Sequence, residues 1–354
     1  MILPETYGTA LLLTLISMIC WGSWANTFKL AGKWRFELFY YDYSLGVLVA
    51  ATIYAFTFGN LGYDGFTVID DLLHGGKRQI FYGAVGGMVF NLANMLLVAA
   101  ISVAGLAVAF PVGIGLALVI GVIWNYSLKP QGNPALLFGG AAIVVAAIIV
   151  DALAYRALEA EKAARAPAPP PRRATKASGA PTARKVSGKG IILSLVSGVL
   201  MGSFFPLVEM GKSGELGLGP YSIGLVFAVG VFVSTFVFNL FFMNLPIAGP
   251  PVAMFDYFKG TLRQHMLGIV GGMIWASGTI ANFVAASAPD KVQVGPAISY
   301  AIGQGATMIS ALWGLLVWKE FAGANPRVRV LVVVMLILFL VGLTIVSIAP
   351  LYAR

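Results

Sequence analysis

Long apolar stretches, separated by short polar or glycine- and proline-containing breaks, follow one another along the whole sequence. Each is about 20 residues long, the length that a helix needs to cross roughly 30 Å of hydrocarbon. The pattern therefore predicts an all-α membrane protein with ten transmembrane helices. We expect them near residues 9–29, 41–60, 80–101, 104–128, 134–154, 189–209, 220–243, 266–287, 291–318 and 328–349.

Composition supports a membrane protein and argues against a soluble domain. Of the 354 residues, 59% are apolar and 10% are charged, and the mean hydropathy is +0.87. A typical soluble domain has about 25% charged residues. The basic residues near the first stretch follow it, so we expect it to be a retained helix rather than a signal peptide. The single cysteine, Cys20, leaves no disulfide or cysteine metal site to expect within the chain.

A segment without apolar periodicity separates the fifth and sixth helices. Residues 163–185 are rich in Ala, Pro, Arg and Lys, which is typical of a disordered linker. The predicted organisation is therefore a five-helix repeat at 1–155, a basic linker at 156–187 and a second five-helix repeat at 188–354.

Short strings recur in the two halves in the same order, which we interpret as an internal duplication. The matching prolines also predict a kink in each of the fourth and ninth helices. The pairs are Gly22-Ser23 with Gly202-Ser203, Tyr43-Ser44 with Tyr221-Ser222, Gly86-Gly87-Met88 with Gly271-Gly272-Met273, and Pro111 with Pro296.

The distribution of basic residues predicts the orientation of the chain. The net charge is +9, and 17 of the 23 Lys and Arg residues lie in the linker or in other loops that follow odd-numbered helices. Positively charged loops stay in the cytoplasm, so we expect a cytoplasmic linker and two outward-facing termini. Each half holds an odd number of helices, so the halves would insert in opposite orientations, as in the inverted repeats of secondary transporters.

Uncharged polar residues within the helices are the candidate ligands of a transported solute. Amides that face a cavity can bind a polar, uncharged solute through paired donors and acceptors. Bonds between helices are the structural alternative. Trp24 and Trp275 lie within helices rather than at their ends, so stacking on a planar ring and simple packing both remain open. The other candidates are Asn91, Asn94, Asn282, Tyr300 and Gln304.

Ionisable residues are scarce in the helices and fall near their predicted ends. A charge in hydrocarbon is costly, so each is a functional candidate, with anchoring at the interface as the alternative. We expect Asp42 and Glu209 to couple transport to an ion, because a carboxylate partly withdrawn from water can carry a proton. The whole group consists of Lys29, Asp42, Asp151, Glu209, Asp290 and Glu320.

Enzymatic motifs are missing from the sequence. No phosphate-binding G-x-x-x-x-G-K-[ST] string occurs, and His74 and His265 fall in predicted loops on opposite sides. We therefore expect no enzyme, no cofactor, no metal site and no nucleic-acid partner.

Several strings carry a resemblance to a known family: Tyr41-Asp42-Tyr43-Ser44-Leu45, Ala55-Phe56-Thr57-Phe58-Gly59, Gly86-Gly87 followed by Asn91 and Asn94, Val103-Ala104-Gly105-Leu106, Gly121-Val122-Ile123-Trp124-Asn125-Tyr126, and Trp313-Gly314 running to Trp318-Lys319-Glu320. The chain resembles the drug/metabolite transporter superfamily, most closely the ureide permeases and the related bacterial glucose, ribose and rhamnose porters. The resemblance covers nearly all the chain except the linker. It implies ten helices, a long cytoplasmic loop between the halves, and import of polar solutes coupled to protons or sodium.

These observations predict a secondary-active transporter in the cell (inner) membrane. We expect it to import a small polar solute such as a ureide, a nucleobase derivative or a sugar, coupled to protons or sodium by alternating access. Two alternatives remain open, an exporter of small metabolites or drugs and a membrane receptor or scaffold that does not transport. An exporter of lipophilic cations would need a carboxylate in its cavity, whereas a scaffold would depend on the basic linker.

Overall fold

Ten membrane-spanning segments make up the fold. A computed structural model describes residues 1–62, 65–165, 188–246, 250–289, 292 and 294–352, with only the backbone of 106 and 107. In these ranges there is no β-strand, and ten helical segments are long and apolar enough to cross a membrane. We number them spans 1 to 10: Tyr7–Leu30, Phe36–Phe56, Lys77–Ala104, Val108–Leu128, Pro134–Arg165, Gly188–Lys212, Pro220–Asn244, Leu262–Ala285, Pro296–Val317 and Pro326–Tyr352.

The ten predicted helices are confirmed, and span 5 is longer than expected. It continues to Arg165, so the first residues of the predicted linker are helical. Ala, Leu, Glu and Lys dominate its last turns and are strong helix formers, and Glu161 pairs with Arg165 one turn away. Asp151, expected near a helix end, is therefore well inside the span and buried. The rest of the linker, 166–187, lies outside the described residues.

Span 8 begins earlier than predicted. Thr261 and Gln264 form a capping box in which each side chain accepts a bond from the other's backbone N–H. The helix therefore starts at Leu262, and His265 lies in its first turn rather than in a loop.

Span 9 is interrupted, but not at its proline. It consists of α-helices Pro296–Gly303 and Ala306–Leu312 followed by a π-helical turn, Trp313–Val317. Pro296 is the first helical residue, where its missing N–H costs no bond, so the predicted kink at this position is wrong. Pro111 does lie inside its helix, Leu106–Leu128. Asp290 and residue 291, where the ninth helix was expected to begin, lie outside the described residues.

Shorter helices occur in span 1 and in two loops. Span 1 is made of Tyr7–Ser23 and Ala25–Leu30, which meet at Trp24. Val68–His74 lies between spans 2 and 3, and the 3₁₀-helix Met254–Lys259 lies between spans 7 and 8.

Contacts between loops define two sides of the bundle. On the linker side, where span 5 ends and span 6 begins, the Lys29 ammonium lies 2.5 Å from the Glu320 carboxylate. On the opposite side, called the terminal side because both chain ends lie there, the Gly219 N–H donates to the Asp71 carboxylate at 2.7 Å. Successive spans connect the two sides alternately.

Close helix contacts at glycines occur in matched pairs. A Cβ on Gly46 in span 2 would overlap the Ile269 carbonyl in span 8. A Cβ on Gly230 in span 7 would overlap the Ala84 carbonyl in span 3. Span 2 thus meets span 8 as span 7 meets span 3, which is the arrangement expected of two related halves. Such small residues allow helix backbones in a membrane to approach closely.

A second matched pair corrects the alignment of span 2 with span 7. Gly272 packs against the carbonyl of Tyr43, and Gly87 packs in the same way against the carbonyl of Phe227. Tyr43 therefore corresponds to Phe227, and the match of Tyr43 with Tyr221 drawn from the sequence is wrong.

Spans 4 and 9 are related in the same way. Gly22 in span 1 packs against Ala306, and Gly202 in span 6 packs against Ala117. Both spans are also preceded by a glycine with positive φ, 82° at Gly105 and 79° at Gly295. Ala306 follows Ala117 by 189 residues, and Gly295 follows Gly105 by 190. Pro296 follows Pro111 by only 185 residues, so the two prolines are not counterparts.

Candidate solute cavity

A cavity of about 320 Å³ lies at the centre of the bundle. This volume lies in the usual range for small-molecule sites, roughly 300–1,000 Å³. Residues from spans 1, 2, 3, 4, 6, 8 and 9 line it, and Phe36, Ile101 and Phe110 carry it toward the linker-side ends of their spans. No charged side chain lies among its described lining residues.

Stacked aromatic rings close the cavity on the terminal side. The Phe90 and Trp275 rings stack with 4.1 Å between centroids, and Phe227 stacks on the same indole at 6.0 Å. Phe204 meets Phe90 edge-on at 5.4 Å. Offset and edge-on pairs of this kind are favourable ring arrangements, so the layer is a closed barrier.

Two tryptophans present indole groups to the cavity. The Nε1 atoms of Trp24 and Trp275 make no hydrogen bond in the described part of the chain, although both residues line the cavity. Trp21, by contrast, donates its indole N–H to the Thr279 hydroxyl at 3.0 Å. Both indoles can therefore offer an N–H donor to a solute, and Trp24 can also offer a ring face.

Two amides complete the polar lining. The Asn94 side-chain NH₂ group donates to the Tyr40 hydroxyl at 3.1 Å, and the Asn94 amide oxygen remains available. The side chain of Gln304 lines the cavity, is almost fully buried, and has no hydrogen-bond partner among the residues described. A buried amide gains most from a ligand that supplies both a donor and an acceptor.

Asn91 lies outside the cavity, one turn from Asn94. Its Nδ2 atom is 3.1 Å from the Val231 carbonyl, 2.8 Å from the Ser234 hydroxyl and 3.1 Å from the Thr235 hydroxyl. It therefore fastens span 3 to span 7, the structural alternative for a polar residue in a membrane helix.

Asn282 and Tyr300 are also held by other helices rather than by the cavity. Asn282 donates to the Ser17 hydroxyl at 3.0 Å and accepts from the Ser299 hydroxyl at 2.5 Å. The Tyr300 hydroxyl lies 3.3 Å from the Ala117 carbonyl and 3.2 Å from the Met201 carbonyl. Of the seven predicted ligands, the structure thus brings four together around the cavity: Trp24, Asn94, Trp275 and Gln304.

Asp42 lies at the linker-side end of span 2, away from the cavity, with 2% of its surface exposed. The Tyr257 hydroxyl donates to Oδ1 at 2.6 Å, and Nδ1 of His265 lies 2.8 Å from Oδ2. Burial and the bond to Asp42 raise the pKa of Tyr257, so the phenol stays protonated and remains a donor. Sequence reasoning missed His265, although the Thr261-x-x-Gln264 capping signal would have placed it on the helix.

Glu209 lies on the terminal side, so the two predicted coupling residues are far apart in the fold. Its carboxylate pairs with the Lys212 ammonium at 2.6 Å, and both side chains are largely buried. They line a second cavity of about 640 Å³, together with Asp71 and Lys129. The central cavity thus has no contribution from either Asp42 or Glu209.

Ten spans around a central cavity define a multi-pass membrane protein. The family model described as Ureide permease matches residues 39–188. Ureide permease 1 of Arabidopsis thaliana is 24% identical over 396 residues, which cover 98% of each chain. Ureide permease 2 of the same plant is 25% identical over 399 residues, 96% of each chain. Probable ureide permease A3 of Vigna unguiculata is 29% identical over 154 residues, 42% of this chain and 41% of that one.

The chain is thus similar to the ureide permeases over nearly its whole length, as the resemblance in its sequence predicted. It is a ureide permease-like transporter and not an enzyme.

Proposed function

We propose that the protein is a secondary-active importer of a small, polar, uncharged solute such as a ureide, a nucleobase derivative or a sugar. The observation that carries this proposal is the central cavity, which combines two free indoles and two available amides with no charged group among its described lining. The names of the relatives, ureide permeases, point to the same chemistry. We place the protein in the cell (inner) membrane with its linker in the cytoplasm, as the basic loops favour.

The cavity suits a ring that carries both carbonyl and N–H groups. Such a ring can stack on Trp24, which contributes about 0.5–1.5 kcal/mol beyond area burial. Its carbonyls can accept from the indole N–H groups, while its N–H groups can donate to the amide oxygens of Asn94 and Gln304. Each such bond contributes about 0.5–1.5 kcal/mol, more where an unpaired buried group would otherwise remain.

Transport would proceed by alternating access between two inverted five-helix repeats. The matched glycine contacts support the two repeats, and their odd helix number supports the inversion. In the present state the cavity extends to the linker side and aromatic rings close it on the terminal side. An importer would reach this state after releasing its solute into the cytoplasm.

Coupling to a proton or sodium gradient would involve Asp42 rather than the cavity itself. Asp42 binds His265, and His265 belongs to the same span as Trp275. A change of charge on the Asp42–His265 pair can therefore act on the helix that carries one wall of the solute site. Glu209 with Lys212 is the corresponding candidate on the terminal side.

The alternative functions receive less support from the site. An exporter of lipophilic cations needs a carboxylate facing the solute, and the described lining has none. A scaffold that acts through the basic linker does not account for a central cavity with unpaired donors and acceptors.

Counterflow in proteoliposomes tests the proposal. Vesicles preloaded with unlabelled allantoin, uracil, glucose or rhamnose would be exposed to the labelled compound, with and without pH or sodium gradients. We expect accumulation of a ureide or nucleobase label only in vesicles that contain the protein and the matching internal solute. Lack of counterflow for every compound would overturn the proposed substrate class.

A further inference from the structure

The ring of Tyr300 fills a slot between spans 4 and 6 on the terminal side of the cavity. The side chain is fully buried, and its hydroxyl is within hydrogen-bond distance of the carbonyls of Ala117 and Met201. A Cβ on Gly121 would overlap the ring in its present position, so the ring lies directly against the backbone of span 4. The ring also packs against Phe205, with 5.4 Å between centroids. Tyr300 thus joins span 9 to spans 4 and 6 where the cavity is closed.

The matched contacts define the counterpart of this slot in the other half. Span 1 corresponds to span 6 through Gly22 and Gly202, and span 9 corresponds to span 4 through Ala306 and Ala117. Gly295 and Gly105, which precede spans 9 and 4, differ by 190 residues, one more than Ala306 and Ala117, so the register shifts by one residue at the interruption of span 9 between Gly303 and Ala306. Tyr300 precedes this interruption and therefore follows the difference of 190 residues. The resulting counterparts are Phe110 for Tyr300, Ala306 for Ala117, Ser310 for Gly121, Trp21 for Met201 and Trp24 for Phe204.

All of these counterparts line the central cavity toward the linker side. Phe110 belongs to span 4, whereas Trp21, Trp24, Ala306 and Ser310 belong to spans 1 and 9. Tyr300 is in ring contact with Phe204 and Phe205, but in the described structure no ring contact joins Phe110 to Trp21 or Trp24. The counterpart slot between spans 1 and 9, called the linker-side slot below, is therefore open in this state. It lies at the mouth of the cavity.

We propose that Tyr300 and Phe110 are reciprocal gate residues. Tyr300 closes the terminal side in the present state. In the opposite state Tyr300 leaves its slot, and Phe110 enters the slot between spans 1 and 9 and closes the linker side. This inference rests on the proposed alternating access between two related halves, and it deepens that proposal by naming the residues that carry the exchange.

The two slots differ in chemistry, which sets the preferred state. Tyr300 has a hydroxyl that can bond to backbone carbonyls, whereas Phe110 has none. Ser310 also carries a side chain where Gly121 leaves room for a ring. The linker-side slot would therefore hold its ring less firmly, so we expect the protein without solute to favour closure of the terminal side.

Trp24 belongs to both the solute site and the linker-side slot, which connects binding to gating. The counterpart of Trp24 is Phe204, and the Phe204 ring packs against Tyr300. Phe110 would take the same position beside Trp24 when the linker side closes. A solute stacked on Trp24 would then be enclosed by Phe110 on one side and by the Phe90 and Trp275 layer on the other.

Distance measurements on the full chain in lipid nanodiscs test the gate without any solute. On a Cys20→Ala background, spin labels at Ser102→Cys and Leu316→Cys would report the separation of spans 3 and 9 at the linker side. We expect Tyr300→Phe to raise the short-distance population roughly fivefold, the factor for one lost hydrogen bond. Adding Phe110→Ala should cancel that increase.

Ile114→Ala is the matched control, because Ile114 lines the same cavity one turn from Phe110 but has no place in the slot. It should leave the Tyr300→Phe distance distribution unchanged. The gate is wrong if Tyr300→Phe adds no short distances, or if Phe110→Ala and Ile114→Ala behave alike. Tyr300→Phe keeps the ring and thus the fold, which thermal melting verifies.

Parallel counterflow assays separate this inference from the proposed function. If distances respond as expected but no compound of the panel is transported, the substrate class is wrong and the gate stands. If a compound is transported but the distances do not respond to Tyr300→Phe, the gate is wrong and the transport function stands.

Discussion

Phe90 and Trp275 stack on each other at the centre of the protein, with an angle of 23° between their ring planes. They occupy corresponding positions of spans 3 and 8, as the matched contacts of Gly87 and Gly272 show. Each ring is thus the counterpart of the other, and their contact lies where the two halves meet. The closed end of the cavity is therefore also the boundary between the halves, so a solute on Trp275 touches the surface on which they would move.

Removal of a cavity indole should weaken solute binding. Trp24→Ala deletes a stacking surface and a free donor, which together contribute on the order of 1–3 kcal/mol, or about five- to 150-fold in Kd. Equilibrium binding of the labelled solute to purified protein measures the change. Trp124→Ala, which alters a tryptophan of span 4 outside the cavity lining, is the control. Equal affinities for the two variants would contradict a role for Trp24 in the site.

A charge at position 304 should weaken solute binding more than loss of the Gln304 side chain does. Gln304→Ala removes the amide and should raise Kd about three- to tenfold. Gln304→Glu adds a carboxylate to a lining that is otherwise uncharged, so its desolvation should lower both solute affinity and thermal stability further. Isothermal titration and melting curves give both quantities, with Gln79→Ala on the terminal side as the control. Wild-type affinity in Gln304→Glu would exclude Gln304 from the solute site.

The paired glycines predict a stability difference that does not depend on the solute. In Gly87→Ala and Gly272→Ala, the new methyl group would overlap a backbone carbonyl of the facing helix. Forcing such helices apart costs about 1–3 kcal/mol or more, so both variants should melt several degrees below the wild type. Gly139→Ala is the matched control, because nothing lies within 4 Å of its added Cβ. Unchanged melting of Gly87→Ala would argue against the close contact.

Asp42→Asn should separate binding from coupling. The amide can keep contacts with Tyr257 and His265 but cannot carry the negative charge, so counterflow should remain while stimulation by a proton gradient is lost. Uptake with and without an imposed pH gradient measures this separation. Asp256→Asn, which changes an exposed aspartate paired with Lys259, should keep the stimulation. Full gradient stimulation in Asp42→Asn would rule out Asp42 as the proton-coupling group.

The ten spans could be predicted because lipid imposes the same demand on every one of them. A helix must present about 20 apolar residues to the bilayer whatever its neighbours are. Four cavity residues were predicted for a related reason, since tryptophans and amides within a membrane helix need a polar or aromatic partner. Trp24, Asn94, Trp275 and Gln304 have free polar groups, so they are the ones for which that partner can be a solute.

The roles of Asn91 and Asn94 could not be distinguished from spacing. Residues three apart lie on roughly the same face of a helix, but span 3 contacts several helices, and each asparagine meets a different neighbour. The same limit explains the misplaced Tyr221 match, because identical residues suggested one register while backbone contacts at Gly87 and Gly272 define another.

The free indoles of Trp24 and Trp275 also have a practical consequence. The ultraviolet emission of an indole shifts to shorter wavelength when water leaves its surroundings, and a solute that fills the cavity would displace water from both rings. Occupancy could then be followed by the native fluorescence of the unlabelled protein, and candidate compounds could be titrated before any transport assay is set up.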